Sequence, residues 1–112
     1  MAALAAGAVV LVQFPFSDLS HAKLRPAVVV TDAGRGDWLL CQITSNPYGD
    51  SGALTLGAAE FKSGSLRTTS YARPLKLFTA SDTIIVSQVG ALTDAALRQI
   101  TEAIVNAIQP RS

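Results

Sequence analysis

The hexapeptide Pro26 to Thr31 (PAVVVT) is apolar and β-branched from end to end. It lacks the alternation of a half-wetted strand and reads as a central strand buried on both faces. The next six residues, DAGRGD from Asp32 to Asp37, form a tight turn. Trp38 to Thr44 (WLLCQIT) is the following strand, so the two make a hairpin. Alternation places Leu39, Cys41 and Ile43 on one face of the second strand and Trp38, Leu40, Gln42 and Thr44 on the other. A chain built around this hairpin must wrap further strands about it.

The remaining pattern supplies them. Ala8 to Gln13 (AVVLVQ) is strand-like, and Phe14 to Leu24 is a polar loop that opens with two aromatics around Pro15. Ser45 to Gly52 is dense in turn residues, Ala53 to Leu56 is a short strand, and Glu60 to Arg67 reads as a loop. Ser70 to Phe78 (SYARPLKLF) is a strand interrupted by Pro74, hence an edge strand or a bulged one. Thr83 to Val89 is the last strand. A helix then starts at the N-cap candidate Thr93, with Asp94 placed favourably for the helix dipole, and ends before Pro110. Its apolar stripe is Leu97, Ile100, Ile104, Ala107 and Ile108. Short strands followed by one amphipathic helix predict a mainly β fold with a C-terminal helix, a half-open β-barrel on which the helix packs. The 112 residues make one domain, 1–112.

Composition narrows the function classes. Hydrophobic residues are 49 % and charged residues 15 %, which is globular rather than disordered. A net charge of +1 carries no bulk mark of a nucleic-acid binder. Between Ser20 and Lys76, however, seven cations face four anions, which leaves room for a local basic patch or for a mixed solvated surface. A single cysteine, Cys41, excludes an intrachain disulfide and a cysteine metal site, and a single histidine, His21, excludes a His-rich cluster. Ala2 to Val12 is apolar like a signal-peptide core, but no Lys or Arg precedes it and its second half alternates into a strand. No apolar run reaches the ~20 residues of a membrane helix. A cytoplasmic protein without membrane association is expected.

The candidate chemistry gathers at FPFSDLSHAKLRP (Phe14 to Pro26) and CQITS (Cys41 to Ser45). Arg25 heads an apolar strand in buried-looking company, and its fork of donors suits phosphate oxygens; the alternative is a strand-end arginine reaching solvent or pairing with Asp18. Thr44 and Ser45 bring two hydroxyls to a strand end, as a phosphate ligand would need and as ordinary turn caps also do. His21 titrates near neutrality and is the natural general acid or base, although a lone loop histidine is more often surface decoration. Arg73 and Lys76 lie on opposite faces of their strand by alternation, either lining a groove or lying on the surface. Trp38, Tyr48 and Tyr71 are candidates for stacking on bases, with Trp38 better suited to a hydrophobic contact. No Gly-rich phosphate loop and no nucleophile elbow is present.

The blocks VVLVQFPFSDLSHAKLRPAVVV, WLLCQITSN and SYARPLKLF, in this order and spacing, resemble the MazF/PemK family of toxins from bacterial type II toxin–antitoxin pairs. The resemblance runs from Ala8 to Ile108. It implies an SH3-like barrel of the MazF/PemK/CcdB type and metal-independent, often sequence-selective cleavage of single-stranded RNA, with no cofactor. It further implies Arg25 and Thr44 as the catalytic residues, Ser45 beside them, and the segment Ser17 to Leu24 as a flexible cover over the substrate. Ser20, His21, Lys23, Gln42, Arg73 and Lys76 are then the substrate-binding candidates. The attacking group in such a reaction is the RNA 2′-hydroxyl, Arg25 is the best stabiliser of the doubly charged phosphorane, and the proton-transfer groups stay unassigned. A homodimer and a cognate antitoxin, whose disordered segment wraps the toxin, are implied as partners. The alternative is an inhibitor on the same barrel that binds a protein target such as a topoisomerase, or a decayed toxin that only binds antitoxin.

Overall fold

The computed structural model describes residues 4–15 and 22–110. The strands are β1 (Ala8–Pro15), β2 (Ala22–Gly34), β3 (Asp37–Thr44), β4 (Leu54–Leu56), β5 (Phe61–Gly64), β6 (Ser70–Ser81) and β7 (Ile85–Leu92), followed by the helix α1 (Asp94–Ile108). The described residues form one seven-stranded antiparallel sheet, in the order β4-β6-β3-β2-β1-β7-β5.

This order dictates the curl. The two edge strands, β4 and β5, are joined only by Gly57 and the 3-10 turn Ala58–Glu60. Laid flat, seven strands would put the edges about 29 Å apart, six spacings of about 4.8 Å. The chain from Leu56 to Phe61 reaches at most about 18 Å. The sheet must therefore roll up until its edges approach, which gives the half-open barrel expected from sequence.

The β2–β3 hairpin forms as predicted, with a tighter turn than Asp32 to Asp37, since β2 runs to Gly34 and β3 starts at Asp37. Its turn holds Gly34, Arg35 and Gly36 at positive φ, and Asp32 Oδ1 accepts from the Gly34 N–H at 2.7 Å. Alternation also holds: Cys41 and Ile43 belong to one buried cluster with Val9 and Val28, while Leu40 belongs to the other with Val10, Val12, Ala27 and Val29, and Trp38 packs against it. The central strands are thus buried on both faces.

Four expectations need correction. The segment Glu60 to Arg67 is not all loop, because Phe61–Gly64 pairs with β7. Gly64 and Gly90 stand opposite each other there, and a Cβ on Gly64 would lie 2.1 Å from the Val89 carbonyl oxygen, so the strands approach closer than side chains permit. The first loop is shorter than Phe14 to Leu24, since β1 runs through Pro15 and β2 starts at Ala22. β7 begins at Ile85 because Asp82–Ile84 is a 3-10 turn capped by Ser81. The helix buries Ala96, Ile100 and Ile104, but Ala107 and Ile108 are exposed, because its last turn runs past the core cluster. Thr93 is the N-cap, accepting from the Ala96 N–H at 3.1 Å.

Candidate functional site

The register of β2 against β3 pairs Val28 with Cys41 and Ala27 with Gln42. Two residues further in each direction, the same register sets Arg25 against Thr44. Both line a groove of about 260 Å3 at this end of the barrel, together with Ser45. Arg25 is exposed, not buried as its sequence neighbours suggested. Leu11, Leu24, Pro26 and Ile43 give the groove an apolar base.

Thr44 is half-buried, and its hydroxyl is engaged locally. Oγ1 accepts from the Asn46 N–H and donates to the Asn46 carbonyl, both at 3.1 Å. Asn46 Oδ1 in turn accepts from the Tyr48 N–H at 3.1 Å. The turn-cap role weighed for this cluster is therefore present, and Thr44 lines the groove as well. A hydroxyl has one proton and two lone pairs, so Thr44 can keep accepting from Asn46 while turning its proton to a ligand.

A second wall comes from residues that sequence reading did not single out as ligands. Arg67, Thr68 and Ser70 line the same groove. Arg67 and Thr68 are exposed, and Ser70 is buried with its hydroxyl donating to the Thr68 carbonyl at 3.0 Å. The only trace in the sequence is the cluster SLRTTS, a cation among hydroxyls; nothing in the spacing says that it meets Arg25. Among the described residues lining the groove, two are cations and none is acidic. The arrangement is chemically an anion site with hydroxyl donors.

Other candidates lie elsewhere. Arg73 sits in a bulge of β6, where Gln42 alone faces Arg73, Pro74, Leu75 and Lys76 between the pairs Ile43–Ala72 and Cys41–Leu77. The bulge predicted from Pro74 is there, and its exposed carbonyl chemistry is handled by Cys41, whose buried thiol donates to the Arg73 carbonyl at 3.2 Å. Burial pushes that thiol up to about 11, so it is a structural donor rather than a nucleophile. The Arg73 side chain points to Asp50, its Nε donating at 2.7 Å, and this contact holds the Asp50 carboxyl below its ordinary range. Lys76 is exposed on the same bulge. Gln42 is half-buried beside Ala27 and is not among the residues lining the groove. Lys23 lies in β2 opposite Phe14. Ser20 and His21, with most of the Ser17 to Leu24 cover and Asp18, fall outside the described residues. Of the aromatics, Tyr71 stands directly opposite Thr44, Tyr48 is 92 % exposed, and Trp38 is half-buried against the core.

The fold has well-matched relatives among solved structures. An endoribonuclease from a mycobacterial species, solved in complex with its cognate antitoxin, superposes with a TM-score of 0.74 at 16 % identity, covering 100 % of this chain and 99 % of the other. The Mycobacterium tuberculosis toxin MazF-mt6 gives a TM-score of 0.71 at 18 % identity, covering 94 % and 99 %. MazF in the MazE–MazF structure (Form-III) from Deinococcus radiodurans gives 0.74 at 18 % identity, covering 95 % and 96 %. No curated protein sequence matches the chain. The family model of the PemK-like, MazF-like toxin of type II toxin–antitoxin system matches residues 5–108. By that match over nearly its whole length, the chain belongs to the PemK-like, MazF-like toxins of type II toxin–antitoxin systems.

Proposed function

We infer that the protein is an endoribonuclease that cleaves single-stranded RNA in the groove between Arg25, Thr44 and Arg67. The observation that carries this reading is the convergence of Arg25 and Arg67 with the hydroxyls of Thr44 and Ser45 in one groove that has no acidic lining residue among those described. Family membership supports the same activity.

The reaction needs little from the protein beyond charge and position. The RNA 2′-oxygen attacks the adjacent phosphorus, the bond from phosphorus to the 5′-oxygen breaks, and the proton lost from the 2′-hydroxyl is balanced by one gained at the leaving oxygen. The products are a 2′,3′-cyclic phosphate and a 5′-hydroxyl. Arg25 binds the non-bridging oxygens and stabilises the charge that builds on them. Thr44 donates its hydroxyl proton to one of these oxygens once it turns from Asn46, with Ser45 beside it. Arg67, on the opposite wall, holds a neighbouring phosphate. No proton-transfer residue is assigned. DNA lacks the attacking hydroxyl and is inert in this scheme. The active form is a homodimer, and a cognate antitoxin covers the groove.

The test is cleavage of a long single-stranded RNA by purified protein in EDTA, with Arg25→Ala and Thr44→Ala alongside. The parent cuts to 5′-hydroxyl ends. Each variant keeps the parental circular dichroism and melting profile and loses about 10²–10³ in rate, as removal of a transition-state donor does. A folded Arg25→Ala that cuts at the parental rate removes Arg25 from the site. Val105 and Ile108, both exposed on α1, favour one competing reading, a toxin that works by binding a protein target. In that case growth arrest persists in Arg25→Ala while cellular RNA stays whole.

A further inference from the structure

The rolled sheet leaves a seam where its two edges meet. β4 is paired only with β6, and β5 only with β7, so among the described residues no strand takes up their outer edges. A cavity of about 220 Å3 lies at this seam, bounded by Gly57, Phe61 and the segment that follows β5. Leu66, Arg67 and Thr68 line both this cavity and the Arg25–Thr44 groove, so the two adjoin across one stretch of chain.

The chemistry of the seam cavity differs from that of the groove. Phe61 and Leu66 are half-buried and apolar, whereas Ser65, Thr68 and Thr69 are exposed and carry hydroxyls at its rim. Its one charged lining residue is Arg67, on the side of the groove. Edge strands add backbone N–H and C=O groups without ladder partners. Such a site takes a neutral, flat group with apolar faces and a hydrogen-bonding rim. Its volume equals that of about seven water molecules, the scale of one heterocycle rather than a length of strand.

The walls are fixed in advance. Glu60 accepts from the Gly57 N–H at 2.6 Å through its carboxylate and from the Thr93 N–H at 2.9 Å through its carbonyl, which ties the turn between the edge strands to the start of α1. The close Gly64–Gly90 crossing fixes where residues 65–69 leave the sheet. The wall made by the turn between the edge strands is fixed before binding, which spares part of the ordering cost.

We propose that the seam cavity receives one nucleobase of the RNA strand, next to the phosphate held at Arg25 and Thr44, and sets the nucleotide preference at that position. The proposal rests on the reading of the groove as an RNA site. The Thr69 hydroxyl reads the edge of the base, Phe61 lies against its face, and Arg67 binds the phosphate that links the base to the groove.

Two measurements test it separately from the nuclease reading. The first titrates the protein with 2′-O-methyl trinucleotides, which cannot be cleaved, and follows backbone amides by NMR. Shifts at 57, 58, 61, 65 and 69, which line the seam alone, are expected to depend on base identity; shifts confined to the groove residues overturn the proposal. The second maps cut sites on a random-sequence RNA pool for the parent, Ala58→Leu and Thr69→Val, both substitutions at exposed positions. Each variant loses about tenfold or more of the preference at one position beside the cut, the range for one hydrogen-bonded base. Unchanged preference in both variants overturns the proposal while leaving the nuclease standing. Base-dependent shifts at the seam in a protein that cuts no RNA would sink the nuclease and keep the subsite.

Discussion

At the scale of single residues, position and partner decide which candidates matter. Arg25 and Thr44 lie just beyond the Ala27–Gln42 pair of the hairpin, in a register set by two irregularities nearer the turn that alternation alone does not reveal. Arg67 is still less readable from local pattern, because forty-one residues of intervening chain and a rolled sheet carry it to the groove. Arg73 is legible as a cation, but the bulge turns it to Asp50 instead. That pair has a definite acid signature. Hydrogen bonding to Arg73 lowers the Asp50 pKa from its ordinary 3.8 in the folded state. Its contribution to stability is therefore complete above the unfolded value and is lost as pH falls through the folded one. Urea midpoints of the parent and Asp50→Asn should differ by a constant amount near neutrality, and the gap should close below about pH 4. A gap that widens with acidification would contradict the assignment.

At the scale of elements, the long strands and the helix follow from local pattern, and the discrepancies have local causes. Val9, Val28 and Cys41 join one buried cluster and their neighbours Val10, Val29 and Leu40 the other, as period-two geometry requires, and Thr93 caps the helix as its side-chain chemistry requires. FKSG, the β5 strand, escapes the sequence because it lacks alternation and is held by a crossing. That crossing permits only glycine. Gly64 has a φ of +67°, and an added Cβ would run into the Val89 backbone, while one on Gly90 would lie 2.8 Å from the Ser63 carbonyl oxygen. Gly64→Ala should cost at least about 2 kcal/mol in chemical denaturation, from overpacking and left-handed strain together. Gly49→Ala, at a positive φ with open space around it, meets only the conformational part of that penalty and should cost less.

At the scale of the whole molecule, a net charge of +1 means that the RNA binding proposed above must rest on a few local cations. With Arg25 and Arg67 each neutralising one phosphate, log K for a single-stranded RNA should fall against log salt with a slope of about −1.4, and Arg67→Ala should reduce that slope by about 0.7. A slope several times steeper in the parent would call for cations beyond this groove. The barrel itself was foreseeable, since a strand buried on both faces followed by short strands and one helix has few ways to close. The seam was not foreseeable, because it exists only where distant edges are drawn together. The seam divides labour along the chain. Arg25 and Thr44 belong to the hairpin at the centre of the sheet, while residues 65–69 hang from its last-joined edge. On the proposed reading, the outer segment apart from Arg67 is free to vary in length or in side chains, and with it the preferred base, while the Arg25–Thr44 pair on the hairpin is inherited unaltered.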